Sequence, residues 1–460
     1  MKKCPVCGTQ NHDGAQICQA CGAVLPDKTQ KQRAKARGNT PKRKEKETPD
    51  ALPTKRKWLV PAALVLLAAV LCGTIFFLAP KELYEQGKRC AEGDGAEQSW
   101  EEAAKWYYAA AKLGYAQAQF AYGECFYDGN GVEQDYEQAV EWFRKSAEQD
   151  NSDAQCGLGA CYLMGTGVQK DPKQAVCWLR KSAEQNHSDA QYVLGCCYQY
   201  GTGVEKDEKQ AAEWYQKSAG QGSAAAQNNL GYCYLYGKGV DQSDNQAVKW
   251  FRKSAEQENA SAQYWLGYCY AEGKGTGQDY KQAAKWYQKS AEQGHAGAQN
   301  NLGYYYQHEE QDYEQAVYWY KMSADQGSAA AQNNLGYCYL YGIGVDQNDK
   351  QAVEWFRKSA EQGAADAQFW LGYCYEEGKG VQQDYKQAVE WFRKSAEQKS
   401  AVAQYWLGYC YKNGKGVEQD YDQAVEWYQK SADQGNEEAQ REQSKRWYQT
   451  TVANKKAADK

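Results

Sequence analysis

Between residues 115 and 435 the apolar positions recur with a fixed long period. The dipeptide Ala-Gln marks the register, with its glutamine at Gln119, Gln155, Gln191, Gln227, Gln263, Gln299, Gln332, Gln368, Gln404 and Gln440. Successive marks lie 36 residues apart, except for one step of 33 between Gln299 and Gln332. Inside each unit the spacing changes to that of a helix. Ala226, Leu230, Gly231 and Tyr234 fall three and four residues apart, as do Ala388, Val389, Trp391, Phe392, Ser395 and Ala396. Each unit therefore predicts two short helices. The first should stop at a Gly-x-Gly such as Gly378-Lys379-Gly380, where the backbone needs a left-handed cap. The second should start at an aspartate such as Asp384. Two such helices cannot bury their apolar faces alone, and stacking of neighbours predicts an all-α solenoid.

A typical unit, residues 365–398, reads A-D-A-Q-F-W-L-G-Y-C-Y-E-E-G-K-G-V-Q-Q-D-Y-K-Q-A-V-E-W-F-R-K-S-A-E-Q. Its L-G-x-x-Y, G-x-G-V and D-x-x-x-A-x-x-W-[YF] elements resemble the Sel-1-like repeat, a relative of the tetratricopeptide repeat. The resemblance implies a right-handed α-solenoid that serves as a scaffold or adaptor for proteins or peptides. It covers nine full units over residues 115–435. Residues 81–114 resemble a degenerate tenth unit, with Ala103 and Trp106 in place but no glycine loop, so the solenoid is expected over 81–435. The unit at 295–327 departs from the pattern, because Gln307-His308-Glu309-Glu310 replaces the glycine-rich loop. Residues 436–460 begin another first helix and then turn polar, as a terminal cap and tail should.

The leading residues have a different composition. Two Cys-x-x-Cys pairs, Cys4/Cys7 and Cys18/Cys21, are each followed by glycine. Four thiolates at this spacing suit a tetrahedral Zn2+ better than a pair of disulfides. They resemble the short zinc ribbons at the N-termini of many bacterial membrane proteins, which sets a structural ribbon over residues 1–26. Residues 27–57 hold 12 Lys or Arg and no apolar periodicity, which predicts a disordered basic linker. Residues 58–78, WLVPAALVLLAAVLCGTIFFL, carry no charge and are long enough for one transmembrane helix. A cleaved signal peptide fits less well, since a metal site precedes the segment and no small-x-small motif ends it. Lys55, Arg56 and Lys57 would hold the N-terminus in the cytoplasm and leave the repeats outside.

Charge follows this division. Residues 1–57 carry 14 basic and 5 acidic residues, a net of +9, whereas the whole chain has a net charge of −5, leaving −14 for the rest. The basic linker suits anionic lipid beside the membrane; a nucleic-acid arm is the weaker reading.

Candidate chemistry is sparse. The chain has only four histidines and no Ser-His-Asp or Cys-His set at suggestive spacing. No Gly-Lys-Ser/Thr follows the glycine loops, which argues against phosphate binding. Cys125, Cys161, Cys197, Cys233, Cys269, Cys338, Cys374 and Cys410 occupy one helical position in eight units, a pattern of packing and not of a nucleophile. Cys90, Cys156, Cys177 and Cys196 stand outside it and are expected to be freer. Some cysteine-rich relatives are described as penicillin-binding or β-lactamase-like; no motif here supports a hydrolase. In the related tetratricopeptide fold the first helices line a concave groove. Carried over, that implies a partner surface at Asn228, Tyr264, Asn300, Asn333, Phe369 and Tyr405, and at Tyr232, Tyr268, Tyr304, Tyr337, Tyr373 and Tyr409. The competing reading is that these rings only cover helix faces between units.

Overall fold

The computed structural model describes residues 79–94 and 97–458, together with a two-stranded antiparallel pairing of Lys2–Lys3 with Gln10–Asn11. Cys4, Cys7, Cys18 and Cys21, the linker 27–57 and the apolar segment 58–78 lie outside the described residues. Among the described residues no helix is long and apolar enough to cross a membrane, and no cluster of three or more His, Cys, Asp or Glu could hold a metal ion.

The described residues form 22 α-helices and one π-helical turn, arranged as successive antiparallel pairs in an all-α repeat solenoid. The chain divides into two compact units, Met1–Trp250 and Phe251–Lys460. Both are built by the same local rules. In the first, the side chains of Asp135, Asp171 and Asp207 accept hydrogen bonds from the opening amides of the second helices Tyr136–Ala147, Pro172–Glu184 and Glu208–Gly220. In the second, Asp279, Asp312, Asn348, Asp384 and Asp420 do the same. Each such cap contributes about 1 kcal/mol. First helices end on glycine in the left-handed region, as at Gly201 with φ 69° and Gly378 with φ 67°.

Each helix pair is closed by buried polar side chains. The Ala-Gln glutamine donates to a carbonyl eight residues back, as Gln368 does to Ala360 at 3.3 Å. Its own carbonyl accepts from a glutamine thirty residues on: Gln149 to Gln119, 2.7 Å; Gln185 to Gln155, 2.8 Å; Gln398 to Gln368, 2.8 Å; Gln434 to Gln404, 2.7 Å. The Lys-Ser-Ala serine hydroxyl is fully buried and donates back to the start of its first helix, as Ser395 does to Ala365 at 2.7 Å. These paired groups leave few orphaned donors inside the pair, which makes their burial affordable at about 1 kcal/mol net gain per bond. In five places among the described residues an arginine of the second helix reaches a tyrosine hydroxyl of the next pair, as Arg180 does to Tyr198 at 2.7 Å and Arg393 to Tyr411 at 3.0 Å.

The apolar core repeats with the same period. The residue after each Gly-x-Gly is usually valine and packs on the cluster between two pairs: Val132, Val168, Val204 and Val240 in the first unit, Val345, Val381 and Val417 in the second. The eight ladder cysteines are buried to 4% exposure or less, and the cysteines among the described residues are thiols outside any disulfide. Burial also claims Cys196, at 1%, which the sequence grouped with the freer thiols; its side chain turns into the cluster beside Tyr192 and Tyr215. Cys177 is exposed.

Two places depart from regularity. After the helix Ala296–Tyr305 the missing glycine loop is replaced by the π-helical turn Tyr306–Glu310, which closes on Gln311 at φ 56°. At the end of the chain a short helix, Glu437–Gln443, is followed by a second, Arg446–Ala458, where a polar tail was expected. The Tyr448 hydroxyl donates to Gln429 at 2.9 Å and Lys455 pairs with Glu426 at 2.6 Å, so this last helix docks on Tyr421–Asp433.

Candidate functional site: an aromatic and lysine ladder on the first helices

The two sets of tyrosines expected to line a groove separate in the structure. Tyr264, Phe369 and Tyr405 lean onto aromatic rings of their own second helices, at 5.9 Å from Tyr287, 5.8 Å from Phe392 and 5.5 Å from Tyr428. These three cover helix faces. Exposure does not separate the two sets: Tyr264 and Tyr405 are half-buried, and so are Tyr232, Tyr268, Tyr337, Tyr373 and Tyr409 of the second set, after Leu-Gly, with Tyr304 56% exposed. A residue next to the helix-facing Gly is rotated off the pair interface, so direction is what distinguishes the second set.

In the second compact unit the second set becomes continuous through tryptophans that the sequence reading passed over. Trp370 lies 5.4 Å from Tyr337 and 5.7 Å from Tyr373; Trp406 lies 5.9 Å from Tyr373 and 5.6 Å from Tyr409. Tyr341 extends the row, 4.7 Å from Tyr337. The angles are near edge-on, from 65° to 90° between each tryptophan and its tyrosines, the arrangement favoured by ring quadrupoles. The signal was present as Phe-Trp-Leu-Gly and Tyr-Trp-Leu-Gly, two residues past Ala-Gln. Trp265 and Tyr268 make the same contact at 5.5 Å.

Lysines from the glycine loops sit over these rings. Lys379 lies 5.1 Å from the Tyr373 ring and 6.0 Å from that of Tyr341; Lys415 lies 5.0 Å from Tyr409; Lys274 lies 5.1 Å from Tyr268. In the first unit Lys238 lies 4.9 Å from Tyr232, itself packed on Tyr236 at 4.7 Å. Lys415 also bridges to Glu376 at 2.7 Å, and that hydrogen bond holds its ammonium above the ordinary lysine range. Glu376 is 3% exposed, and its second carboxylate oxygen, Oε2, has no protein partner.

The asparagines form short amide chains. Asn334 donates to Asn300 across two pairs at 3.1 Å, and Asn333 to Asn334 at 3.4 Å. Asn228 donates to Asn229 at 3.2 Å. The Oδ1 atoms of Asn228 and Asn333 are buried without a partner, a state that costs about 1–3 kcal/mol per group.

The ladder thiols offer no nucleophile. Burial pushes Cys125, Cys161, Cys197, Cys233, Cys338, Cys374 and Cys410 up to about 12, so neutral pH leaves them protonated.

The chain is similar to the solved structure of c5321, described as a protective antigen of uropathogenic Escherichia coli with an SLR fold, at 38% identity over 77% of this chain and 84% of that one, with a TM-score of 0.49. A Sel1 repeat protein from Oxalobacter formigenes is 28% identical over 85% of this chain and 96% of its own, with a TM-score of 0.36. No curated protein matches the chain. Ten Sel1 repeats match at residues 75–115, 116–151, 152–187, 188–223, 224–259, 260–295, 296–328, 329–363, 365–400 and 401–436, and with its period, its capped helix pairs and its glycine-ended first helices the chain belongs to the Sel1 repeat family.

Proposed function

We propose that this protein is a membrane-anchored scaffold that holds an extended segment of a protein partner along the ladder Tyr337–Trp370–Tyr373–Trp406–Tyr409. The Sel1 repeat solenoid is an architecture typical of protein-interaction scaffolds. The observation that carries the finer reading is the unbroken contact of those five rings across three consecutive helix pairs, with Lys379 over the Tyr373 ring and Lys415 over that of Tyr409. Tyrosine and tryptophan present wide, rigid contact area at low entropic cost. The lysines add affinity for carboxylates. The test is selection of displayed peptides on the full chain, followed by binding to a Tyr373→Ala/Tyr409→Ala variant. Selected peptides should bind the variant at least roughly tenfold more weakly. Equal binding would remove the ladder from the function.

Two further parts of this reading rest on the sequence. Cys4, Cys7, Cys18 and Cys21 would hold one structural Zn2+, and the ribbon would unfold on chelation. Metal analysis finding less than one zinc per chain would refute that. Residues 58–78 would span the bilayer, with 27–57 against anionic lipid on the cytoplasmic side and the repeats outside. Protease added to intact cells should then cut the repeats and spare the ribbon; the reverse pattern would invert the topology.

A further inference from the structure

The shortened pair has lost more than a turn. In the regular pairs of the second compact unit the glycine loop performs two tasks. Its second glycine lies against the opening residue of the preceding second helix, where a side chain at Gly380 would run into the carbonyl of Asp349 and one at Gly416 into that of Tyr385. Its valine then packs on that helix: Val345, Val381 and Val417 lie on the clusters that contain Val317, Val353 and Val389. The π-helical turn Tyr306–Glu310 supplies neither a glycine nor a valine to the helix Tyr280–Glu292. The cluster there contains no valine, and Ala284 stands where Val317, Val353 and Val389 stand in their helices.

A cleft of about 840 Å³ opens at this place, with Ala284, Trp286, Leu302, Tyr305 and Tyr306 among its walls. That size falls within the range of sites that take a ligand. Its edge carries Lys281, Lys285 and Lys289, spaced by four along one helix face. Three sister helices carry Glu354, Glu390 and Glu426 at the register of Lys285, whereas the two flanking helices carry Lys249 and Tyr318 there. Among the described residues neither Lys281 nor Lys285 has a carboxylate partner, while the acids on the opposite edge are engaged: Glu310 accepts from the Tyr305 hydroxyl at 2.6 Å, and Asp312 accepts from the Gln315 amide at 3.1 Å.

We propose that this cleft is a second binding site, which takes an extended peptide carrying a β-branched apolar side chain followed by carboxylates. Such a peptide supplies from another molecule what the pair lacks. The β-branched side chain fills the space over Ala284 and Leu302, and the carboxylates reach Lys281 and Lys285. The chain's own loops have this form, as in Gly416-Val417-Glu418-Gln419-Asp420, but there the valine is committed to its own cluster. None of the lining residues belongs to the tyrosine ladder, so the two sites can fail independently.

The experiment uses the full chain in lipid nanodiscs and a fluorescent synthetic peptide with the sequence of residues 414–421. Fluorescence anisotropy should show saturable binding. Lys285→Glu and Ala284→Val each install the residue of sister helices and so keep the fold. Each should weaken binding roughly tenfold. A peptide with serine in place of the valine should lose as much, and Tyr373→Ala should change nothing. Absence of saturation at about 1 mM peptide, or affinity indifferent to both variants, overturns the proposal. Self-association of the chain that Lys285→Glu abolishes would assign the cleft to a second copy and overturn it equally.

Discussion

Replacing Gly372 by alanine sets two opposed effects against each other, and the structure decides the sign. Gly372 lies inside the helix Ala365–Glu377, where alanine is favoured over glycine by about 1 kcal/mol. A Cβ at this position would meet Phe392 Cδ1 at 2.7 Å, Phe392 Cε1 at 2.8 Å and the Ala388 carbonyl oxygen at 3.1 Å. Comfortable carbon contacts lie at about 3.5–4.0 Å, so ring and helix must part by about 1 Å. Phe392 cannot swing aside: it is fully buried between Phe369 at 5.8 Å and Trp406 at 5.8 Å. Overpacking of this kind costs about 1–3 kcal/mol. The clash should outweigh the propensity gain, and Gly372→Ala should lose about 1 kcal/mol and at most about 2. At Gly408 the same Cβ would stand 3.2 Å from Tyr428 Cδ1, and the deficit is only a few tenths of an ångström. There the two effects should nearly cancel. Urea unfolding followed by tryptophan fluorescence measures both, and Gly372→Ala should lower its midpoint by about 0.5 M. Adding Phe392→Leu should recover part of the loss. A midpoint raised by Gly372→Ala, or an equal fall at Gly408, would refute close helix approach as the reason for these glycines.

Other perturbations read other parts of the design. Asp384→Ala removes the acceptor for Lys386 and Gln387 amides at 2.9 and 3.1 Å and should cost about 1 kcal/mol in the same assay, while Asp384→Asn should cost less. Cys374, buried and with its thiol pushed up to about 12, should resist thiol reagents until the chain unfolds, whereas exposed Cys177 should label at once; mass mapping of a labelling time course checks the order. His295 caps Ala298 at 3.1 Å and stacks on Tyr264 at 4.7 Å, and burial pushes it down from 6.5 to about 4. The unfolded chain binds this proton first, so its contribution is complete above pH 6.5 and falls away as the pH drops toward 4. Its partial exposure keeps the effect to roughly 1–3 kcal/mol. His295→Asn, the cap residue at Asn151, Asn259 and Asn436, should flatten the stability profile across that window.

The sequence by itself determined the period, the helix pairs and their ends. These are local matters: Asp384 can cap only the helix that follows it, and Gly378 adopts a left-handed backbone with a helix already complete behind it. The shortened pair was visible too, as a step of 33 and a lost glycine loop. Tertiary structure decided everything that depends on which residues meet across thirty positions. Gln368 read as a register mark and Ser395 as one more position of a helical face, yet they are the buried clamp of a pair, because each finds its partner only when the two helices close. The same holds for the partner surface. Tyr264 and Tyr268 are both aromatic and four residues apart, but the first turns onto Tyr287 in the second helix and the second lies under Lys274 of the glycine loop. Trp370 joins two tyrosines from successive pairs into one row, a contact that no single repeat contains. The cleft at Ala284 was hidden for the same reason: a missing valine leaves its mark on the preceding helix, and only stacking brings the two together.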